Sequence, residues 1–359
     1  MISKEKKESR ARGSIVAVMV LMSLTTLTSV ACALFLLYTK FNEKPEPETP
    51  VASESPEIRY TQEEMEKILE AAIAETVEIA RAEGQATFSD YLLSSMSNDK
   101  GYLNTLRKVY PDFIIFNDAE GLNFIPVMHS LKKNELDMGE FSVAQNGVME
   151  HYLEGELTSH KGIDVSKFQG DIDWNAVAAD GVEYAFIRCG FRGWGEAGSM
   201  NADDNFGKNV DNARNAGIHA GAYFYSTAIT QEEIDEEVAF VLDALEGHAV
   251  DYPVVIDTER SDSGTGRADN LSKEVRTDLV ISFCEQIKEA GYTPMIYANT
   301  TWYAKKLDMA RLEQYDKWFA SFTTNFYFPY EIAVWQYSNK GRVSGISGDV
   351  DLNMSFKEW

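Results

Sequence analysis

From His160 to the C-terminus, short apolar runs typical of β-strands alternate with longer polar or amphipathic stretches typical of helices. The runs are continuously apolar, which is the pattern of strands buried on both faces of a parallel sheet. Gly217 and Gly291 end two helical stretches and lead directly into the next strand, as C-cap glycines do. The strand-like runs are KGIDVS (161–166), VEYAFIRCG (182–190), IHAGAYFYS (218–226), YPVVIDTE (252–259), YTPMIYAN (292–299), KWFASF (317–322) and IAVWQYS (332–338).

The number of these runs favours a closed barrel with helices on its outside, because a single domain has to bury all of them. The last runs follow one another with little sequence between them for helices. We therefore predict an α/β fold for residues 159–359, an irregular (β/α) TIM-like barrel of about eight strands.

Acidic, aromatic and amide side chains stand where the predicted strands end. In β/α barrels the chemistry lies at the carboxyl ends of the strands, so we expect these side chains to meet at one rim. They are Asp164, Tyr223, Tyr225, Asp257, Glu259, Tyr297, Trp335 and Gln336, together with Asp351 near the end of the chain.

Asp257 and Glu259 are two positions apart in PVVIDTE, so their side chains share one face of the strand. Neighbouring carboxylates raise one another's pKa, which lets one act as an acid while the other stays ionised. Glycoside hydrolysis needs that division of roles. The pattern favours a carbohydrate hydrolase in which one acid of the pair holds a proton and the other stays charged.

Two other interpretations of this pair remain open on the residues alone. The acids are also compatible with a cap on the following helix or a pair with Arg260. A zinc or magnesium site is the other alternative, although the five histidines show no HxxxH spacing and no CxxC is present. We predict no metal and no cofactor.

The composition limits the other classes of function. The formal net charge is −24, which argues against nucleic acid as a partner, because such binding needs clustered Lys and Arg. Cys189 and Cys284 lie in apolar runs and Cys32 in the apolar N-terminal segment. We expect buried thiols rather than a disulfide framework.

Residues 14–38 contain no charged side chain and as a helix would span roughly 37 Å, enough to cross a bilayer. Residues 1–13 are basic, so the positive-inside rule predicts a cytoplasmic N-terminus and an extracellular catalytic domain on a single-pass signal-anchor in the cell membrane. The rival interpretations are a signal peptide cleaved near Ala31-Cys32-Ala33 and, more weakly, a lipoprotein at Cys32. Residues 39–60 are rich in Pro and Glu and predict an extended tether.

Residues 61–158 predict a helix followed by a small α+β module. TQEE at Thr61 has the form of a capping box and begins a helix that runs to about Gly84. The stretch YLNTLRKVY predicts a second helix, and DFIIFN and LNFIPV predict a hairpin that turns at Asp118 to Gly121. We find no catalytic constellation here; a supporting module and a surface for a cell-envelope protein partner are both compatible with the pattern.

Four ordered motifs in residues 160–359 together resemble the lysozymes of glycoside hydrolase family 25. They are KGIDVSKFQGDIDW, PVVIDTE, IYANTTWY and WQYSNKGRVSGISGDVDLN. These enzymes are N-acetylmuramidases, and the resemblance implies a barrel of five β/α units followed by further strands. It does not extend to the N-terminal segment, the tether or residues 61–158.

The resemblance also implies roles for individual residues. Glu259 matches the general acid and Asp257 its acidic partner, and Asp164 and Asp351 match the other two carboxylates of the cleft. The positions that match the sugar groove are Tyr225, Tyr297, Trp335 and Gln336, with Tyr223 beside them. Phe168 and Phe322 replace the more usual Trp and Tyr, which keeps an aromatic ring but puts the subsite preference in doubt.

Three further residues near these motifs have other expected roles. We expect Asp173 to cap the following helix and Trp174 to lie in the core. Arg188 ends a strand and is a candidate to neutralise a rim acid, but we do not include it among the site residues.

The sequence thus predicts a membrane-anchored peptidoglycan hydrolase that cleaves the β-1,4 bond between N-acetylmuramic acid and N-acetylglucosamine in wall remodelling or lysis. Its partners are then glycan strands and the membrane. The alternative is a non-catalytic scaffold that binds the cell wall. A chitinase is disfavoured because the DxxDxDxE run of those relatives is absent.

Overall fold

The computed structural model describes Lys67, Gly84 and residues 102–144, 147–261, 264–323 and 327–359. The predicted membrane span, the tether and, apart from Lys67 and Gly84, the helix predicted from Thr61 lie outside these described residues. In the part of the chain that is described, no helix combines the length and apolarity that a membrane crossing requires. Residues 102–359 belong to one compact unit.

A helix and two small antiparallel sheets precede the barrel. Strands β1 and β2 form the predicted hairpin, in which Asp118 pairs with Gly121. Gly121 has a φ of +117°, a value that favours glycine in a tight turn. The predicted helix and hairpin are confirmed. The elements are α1 (Tyr102–Val109), β1 (Phe113–Asp118), β2 (Gly121–Pro126), β3 (Phe141–Val143), β4 (Met149–Leu153) and β5 (Glu156–Leu157).

Eight of the next nine strands close into a barrel in the order β6-β7-β9-β10-β11-β12-β13-β14, and β14 pairs again with β6. Neighbours are parallel from β6 to β13, whereas β14 is antiparallel to both of its neighbours. Strand β8 only extends the end of β7. The predicted irregular barrel of about eight strands is confirmed. Its strands are β6 (His160–Val165), β7 (Tyr184–Arg192), β8 (Met200–Ala202), β9 (His219–Tyr225), β10 (Val254–Asp257), β11 (Pro294–Asn299), β12 (Asp316–Ala320), β13 (Val334–Gly341) and β14 (Val350–Ser355).

Four helices and a π-helical turn follow the first five parallel barrel strands. The Asp173 side chain accepts a hydrogen bond from the N–H of Ala176 and caps the first of them, as predicted. Gly217 and Gly291 follow two of the helices with φ values of +83° and +92°, which fits C-cap glycines. The elements are α2 (Trp174–Ala179), α3 (Phe206–Asn215), α4 (Gln231–Leu245), α5 (Lys273–Glu289) and the π turn Trp302–Lys306.

The segment before the barrel packs on strands that have no following helix of their own. Phe141 of β3 meets the Trp335 ring of β13 edge to face, with 5.7 Å between ring centroids. The Met149 N–H donates to the Tyr337 Oη at 3.4 Å. Residues 102–158 therefore supply an outer layer over the last strands of the barrel and share its hydrophobic core.

The inside of the barrel is filled with large side chains, so it is a packed core and not a pore. The rings of Phe186 and Trp318 stack across it with centroids 4.6 Å apart. Tyr184, Val255 and Met295 fill the remaining space and are fully buried.

Candidate active site

The four predicted carboxylates converge at the carboxyl ends of the parallel strands. Asp164 lies on β6 and pairs directly across the strands with Asp351, because the antiparallel β14 begins at this same end. Asp257 ends β10 and is in register with Tyr225 on one side and Tyr297 on the other.

The helix that follows β10 is capped without help from these acids. Helix α5 begins at Lys273 with Ser272 as its N-cap. The capping interpretation of Asp257 and Glu259 is therefore wrong. Arg260 donates to the Gly264 carbonyl at 3.4 Å.

Asp164 is held by two amide side chains. Its Oδ2 accepts hydrogen bonds from Gln336 Nε2 and Asn353 Nδ2, both at 2.8 Å. The amides are themselves oriented: Tyr297 Oη donates to Gln336 Oε1, and Trp318 Nε1 donates to Asn353 Oδ1, each at 2.8 Å. This buried network fixes the position of the carboxylate before any ligand arrives.

Asp164 and Asp351 both bind a proton more tightly than ordinary aspartates. Burial raises the pKa of Asp164 to about 6, while the bonds from Asn353 and Gln336 lower it and the charge of Glu259 raises it. Burial, and then the charge of Asp164, raise the pKa of Asp351 to about 8. At neutral pH Asp351 is therefore mostly protonated, whereas Asp164 is mostly ionised.

Asp257 is buried at the end of β10, whereas Glu259 lies beyond the strand and is partly exposed. Burial, then the charges of Glu259 and Asp164, raise the pKa of Asp257 well above its usual range, and Arg188 opposes this effect. Asp257 therefore binds a proton more tightly than an ordinary aspartate does. Among the described residues, Asp257 Oδ1 has no hydrogen-bond partner.

Three predicted tyrosines lie beside the carboxylates. Tyr223 and Tyr225 are partly exposed, and Tyr297 is buried. Trp318 meets the rings of Tyr223 and Tyr297 edge to face at centroid distances of 6.1 and 4.7 Å. They form the floor of the cleft, with Tyr297 fixed through Gln336.

Trp335 does not lie in the cleft, and its predicted place in a sugar groove is wrong. The side chain is fully buried and belongs to the core outside the barrel, whereas its neighbour Val334 belongs to the core inside. Its Nε1 donates to the Ser321 carbonyl at 2.9 Å. Neighbouring strand residues face opposite sides, so Gln336 points into the barrel and Trp335 cannot.

Sequence reasoning missed Asn353 as a site residue. It is fully buried and joins Asp164 to Trp318. The signal was available, because Asn353 is two positions after Asp351 in DVDLN and shares its strand face.

Exposed aromatic rings mark the loops around the cleft. Phe168 follows β6, Trp194 lies between β7 and β8, and Phe322 follows β12, with 79%, 51% and 52% of each residue exposed. Exposed aromatic side chains of this size are typical of ligand-binding surfaces. Trp194 was not predicted as part of the site.

Among the described residues, no group of three or more His, Cys, Asp and Glu side chains is arranged to hold a metal ion. The close carboxylates instead influence one another through their charges. Such an arrangement suits proton transfer and stabilisation of a positive centre.

Comparison with protein families gives a match to the model described as glycosyl hydrolases family 25, over residues 163–346. That range is slightly more than half of the 359 residues. It includes Asp164, Asp257 and Glu259 and ends before Asp351.

Two relatives and one solved structure extend this match. The chain is 30% identical to Lysozyme M1 of Streptomyces globisporus over 205 residues, covering 54% of this chain and 66% of the relative. It is 28% identical to the autolytic lysozyme of Clostridium acetobutylicum over 195 residues, covering 54% and 55%. The modular autolysin LytC from Streptococcus pneumoniae, solved in complex with a synthetic peptidoglycan ligand, shares the fold at a TM-score of 0.50 and 20% identity, covering 68% of this chain and 56% of that one. The chain thus spans about half to two thirds of these relatives.

Proposed function

Because this chain belongs to the glycosyl hydrolases of family 25, we propose that it is a peptidoglycan hydrolase that cleaves the β-1,4 bond between N-acetylmuramic acid and N-acetylglucosamine. The observation that carries this proposal is the convergence of Asp164, Asp257, Glu259 and Asp351 in one cleft, from strands far apart in sequence. Relatives named as lysozymes support the choice of substrate.

Glu259 is the general acid in this proposal. It is partly exposed and can therefore reach a glycosidic oxygen. As the bond between C1 of the muramic acid and the leaving oxygen breaks, Glu259 donates its proton to that oxygen. It later removes a proton from the water that adds to C1.

Asp257 orients the reacting sugar. Its Oδ1 is a buried acceptor without a partner among the described residues, and such a group costs free energy until it is paired. The acetamido N–H of N-acetylmuramic acid supplies a matching donor, and pairing it aims the acetamido oxygen at C1. That oxygen bonds to C1 as the leaving oxygen departs, and water then replaces it.

Asp164 and Asp351 contribute electrostatically and form no covalent bond to the substrate. They lie side by side on β6 and β14. Asp164 carries most of the negative charge at neutral pH, because its pKa is about 6 and that of Asp351 is about 8. This charge stabilises the positive centre that develops at C1. The rings of Phe168, Trp194 and Phe322 offer apolar faces on which sugar rings of a longer strand stack.

The cellular location follows from the N-terminal sequence. A charge-free segment at residues 14–38 preceded by basic residues supports a membrane anchor with the barrel on the outer side. From there the tether at 39–60 would let the cleft reach the wall of the cell that made it, which favours wall remodelling or lysis.

The test is release of soluble fragments from purified peptidoglycan by the protein and by Glu259→Gln. We expect the variant to lose at least about a hundredfold in rate, the usual contribution of a general acid. Glu289→Gln, an exposed change at the end of α5, is the matched control and keeps the rate. Glycan binding without release by the unchanged protein would instead support the scaffold function.

A further inference from the structure

Arg188 places a positive charge among the cleft acids. It lies on β7 in register with Tyr223 of β9. Its Nε and Nη2 atoms lie 3.0 and 2.9 Å from Asp203 Oδ2. Only 12% of the Arg188 side chain is exposed, so water screens this charge weakly.

The position of the guanidinium group is fixed from several directions. It lies 5.0 Å from the ring centroid of Phe168 and 5.4 Å from that of Phe191, within the range of cation–π attraction. Asp203 is itself anchored, because its carboxylate accepts the N–H groups of Lys167 at 2.9 Å and Asn205 at 3.1 Å. A surface arginine that merely solubilises the protein needs none of these contacts.

The charged groups that act on Asp257 lie on its own segment and on strands β6 and β7. Glu259 follows two residues after the end of β10, and Asp164 acts from β6. The charge of Asp164 also raises the pKa of Asp351 on β14. Arg188 is the cation that opposes these acids at Asp257, and it acts on Tyr223 in the same sense. The remaining titratable neighbours are Tyr223, Tyr225 and Tyr297.

We propose that Arg188, clamped by Asp203 and two phenylalanine rings, is a positioning residue whose positive charge opposes proton binding by Asp257 during catalysis. It acts through Asp257 and does not itself touch the reacting atoms. This inference rests on the proposed function, in which Asp257 must accept a hydrogen bond from the acetamido N–H.

The experiment uses full-length protein and the variants Arg188→Met and Arg188→Lys. Two quantities are measured: the pH profile of kcat/KM on peptidoglycan, and the titration of the Asp257 carboxyl carbon by NMR. Removing the cation in Arg188→Met is expected to shift the acidic limb and the carbon titration upward by about one pH unit. At a pH on the acidic limb of the profile, a shift of one unit lowers kcat/KM about tenfold. Arg188→Lys restores the charge and most of the shift.

Arg342→Met is the matched control, since it removes an exposed arginine whose side chain is 70% accessible and paired with Asp349. This variant is expected to change neither the pH profile of kcat/KM nor the titration of the Asp257 carboxyl carbon. Arg188→Met leaves the buried Asp203 carboxylate without its ion-pair partner, which destabilises the fold. The double variant Arg188→Met/Asp203→Asn removes the cation without leaving a buried unpaired charge.

The proposal is overturned when these folded variants titrate at Asp257 as the Arg342→Met control does. Absence of hydrolysis by the unchanged protein, together with the expected carbon shift, would refute the proposed function while supporting the electrostatic role of Arg188. The NMR arm therefore separates the two failures.

Discussion

The acids of the cleft differ in their surroundings more than in their chemistry. Asp164 is buried but accepts two amide hydrogen bonds that favour its charged form, and its pKa rises only to about 6. Asp351 rises further, to about 8, through burial and the charge of Asp164. A site built in this way gives up stability to hold close carboxylates that the reaction uses.

The raised pKa values predict that the protein loses stability as the pH rises. Folded Asp351 binds its proton more tightly than the unfolded chain does, so its contribution is complete below about pH 4. That contribution is lost as the pH rises through the folded value of about 8. We expect Asp351→Asn, which stays neutral, to be more stable than the unchanged protein at pH 8, by up to about 5 kcal/mol, and to hydrolyse peptidoglycan more slowly.

Urea unfolding at pH 4, 6 and 8 measures this effect. Asp349→Asn is the control, because that side chain is 51% exposed on the same loop. An equal decline of the free energy of unfolding in both variants would show that net charge, and not the cleft, governs the pH dependence.

The residues of the site were largely predictable, and the exceptions have physical reasons. The carboxylates follow from strand ends and spacing. Side chains alternate between the two faces of a strand, so choosing Gln336 as a cleft residue excludes its neighbour Trp335 from the cleft. By the same rule Asn353, two positions after Asp351, belongs to the site. The clamp around Arg188 could not be predicted, because Asp203 reaches it from a loop after β8.

At the scale of elements, the last three barrel strands differ from the first five. They have no following helices among the described residues, and the segment that precedes the barrel covers them through Phe141, Met149 and Tyr337. The sequence predicted the helices and the hairpin because capping and turn residues are local signals. It could not predict where that segment packs, or that β14 runs antiparallel, because both depend on contacts between distant residues.

A substitution at Trp335 tests whether this side chain belongs to the core outside the barrel and not to the cleft. We expect Trp335→Phe to lower the free energy of unfolding by about 2 kcal/mol, through lost packing and the lost bond to the Ser321 carbonyl, while KM for peptidoglycan stays unchanged. Urea unfolding and initial rates measure the two quantities.

Tyr297→Phe is the matched comparison, because it removes only the hydroxyl that orients Gln336. It is expected to lower the rate with a smaller loss of stability. A raised KM in Trp335→Phe would place that ring in the groove after all.

At the scale of the whole molecule, the N-terminal segment differs strongly in composition from the rest of the chain. Removing the local +3 of residues 1–13 from the total of −24 leaves −27 for the rest of the chain. That charge favours solubility and disfavours adsorption to anionic lipid. Attachment to a membrane would then depend on residues 14–38.

We expect the full-length chain to sediment with membranes and a chain beginning at residue 41 to remain soluble. Protease added to cells with a permeable wall is expected to degrade the barrel and spare a cytoplasmic tag at the N-terminus. Recovery of a shortened chain in the soluble fraction would point to cleavage of the N-terminal segment, and protection of the barrel would reverse the orientation.

The bond that is cut tests the central claim most directly. Purified peptidoglycan is digested with the protein, the new reducing ends are reduced with borodeuteride, and mass spectrometry identifies the labelled sugar. We expect label on N-acetylmuramic acid, and no label when Glu259→Gln replaces the unchanged protein. Label on N-acetylglucosamine, or equal label with both proteins, would contradict it.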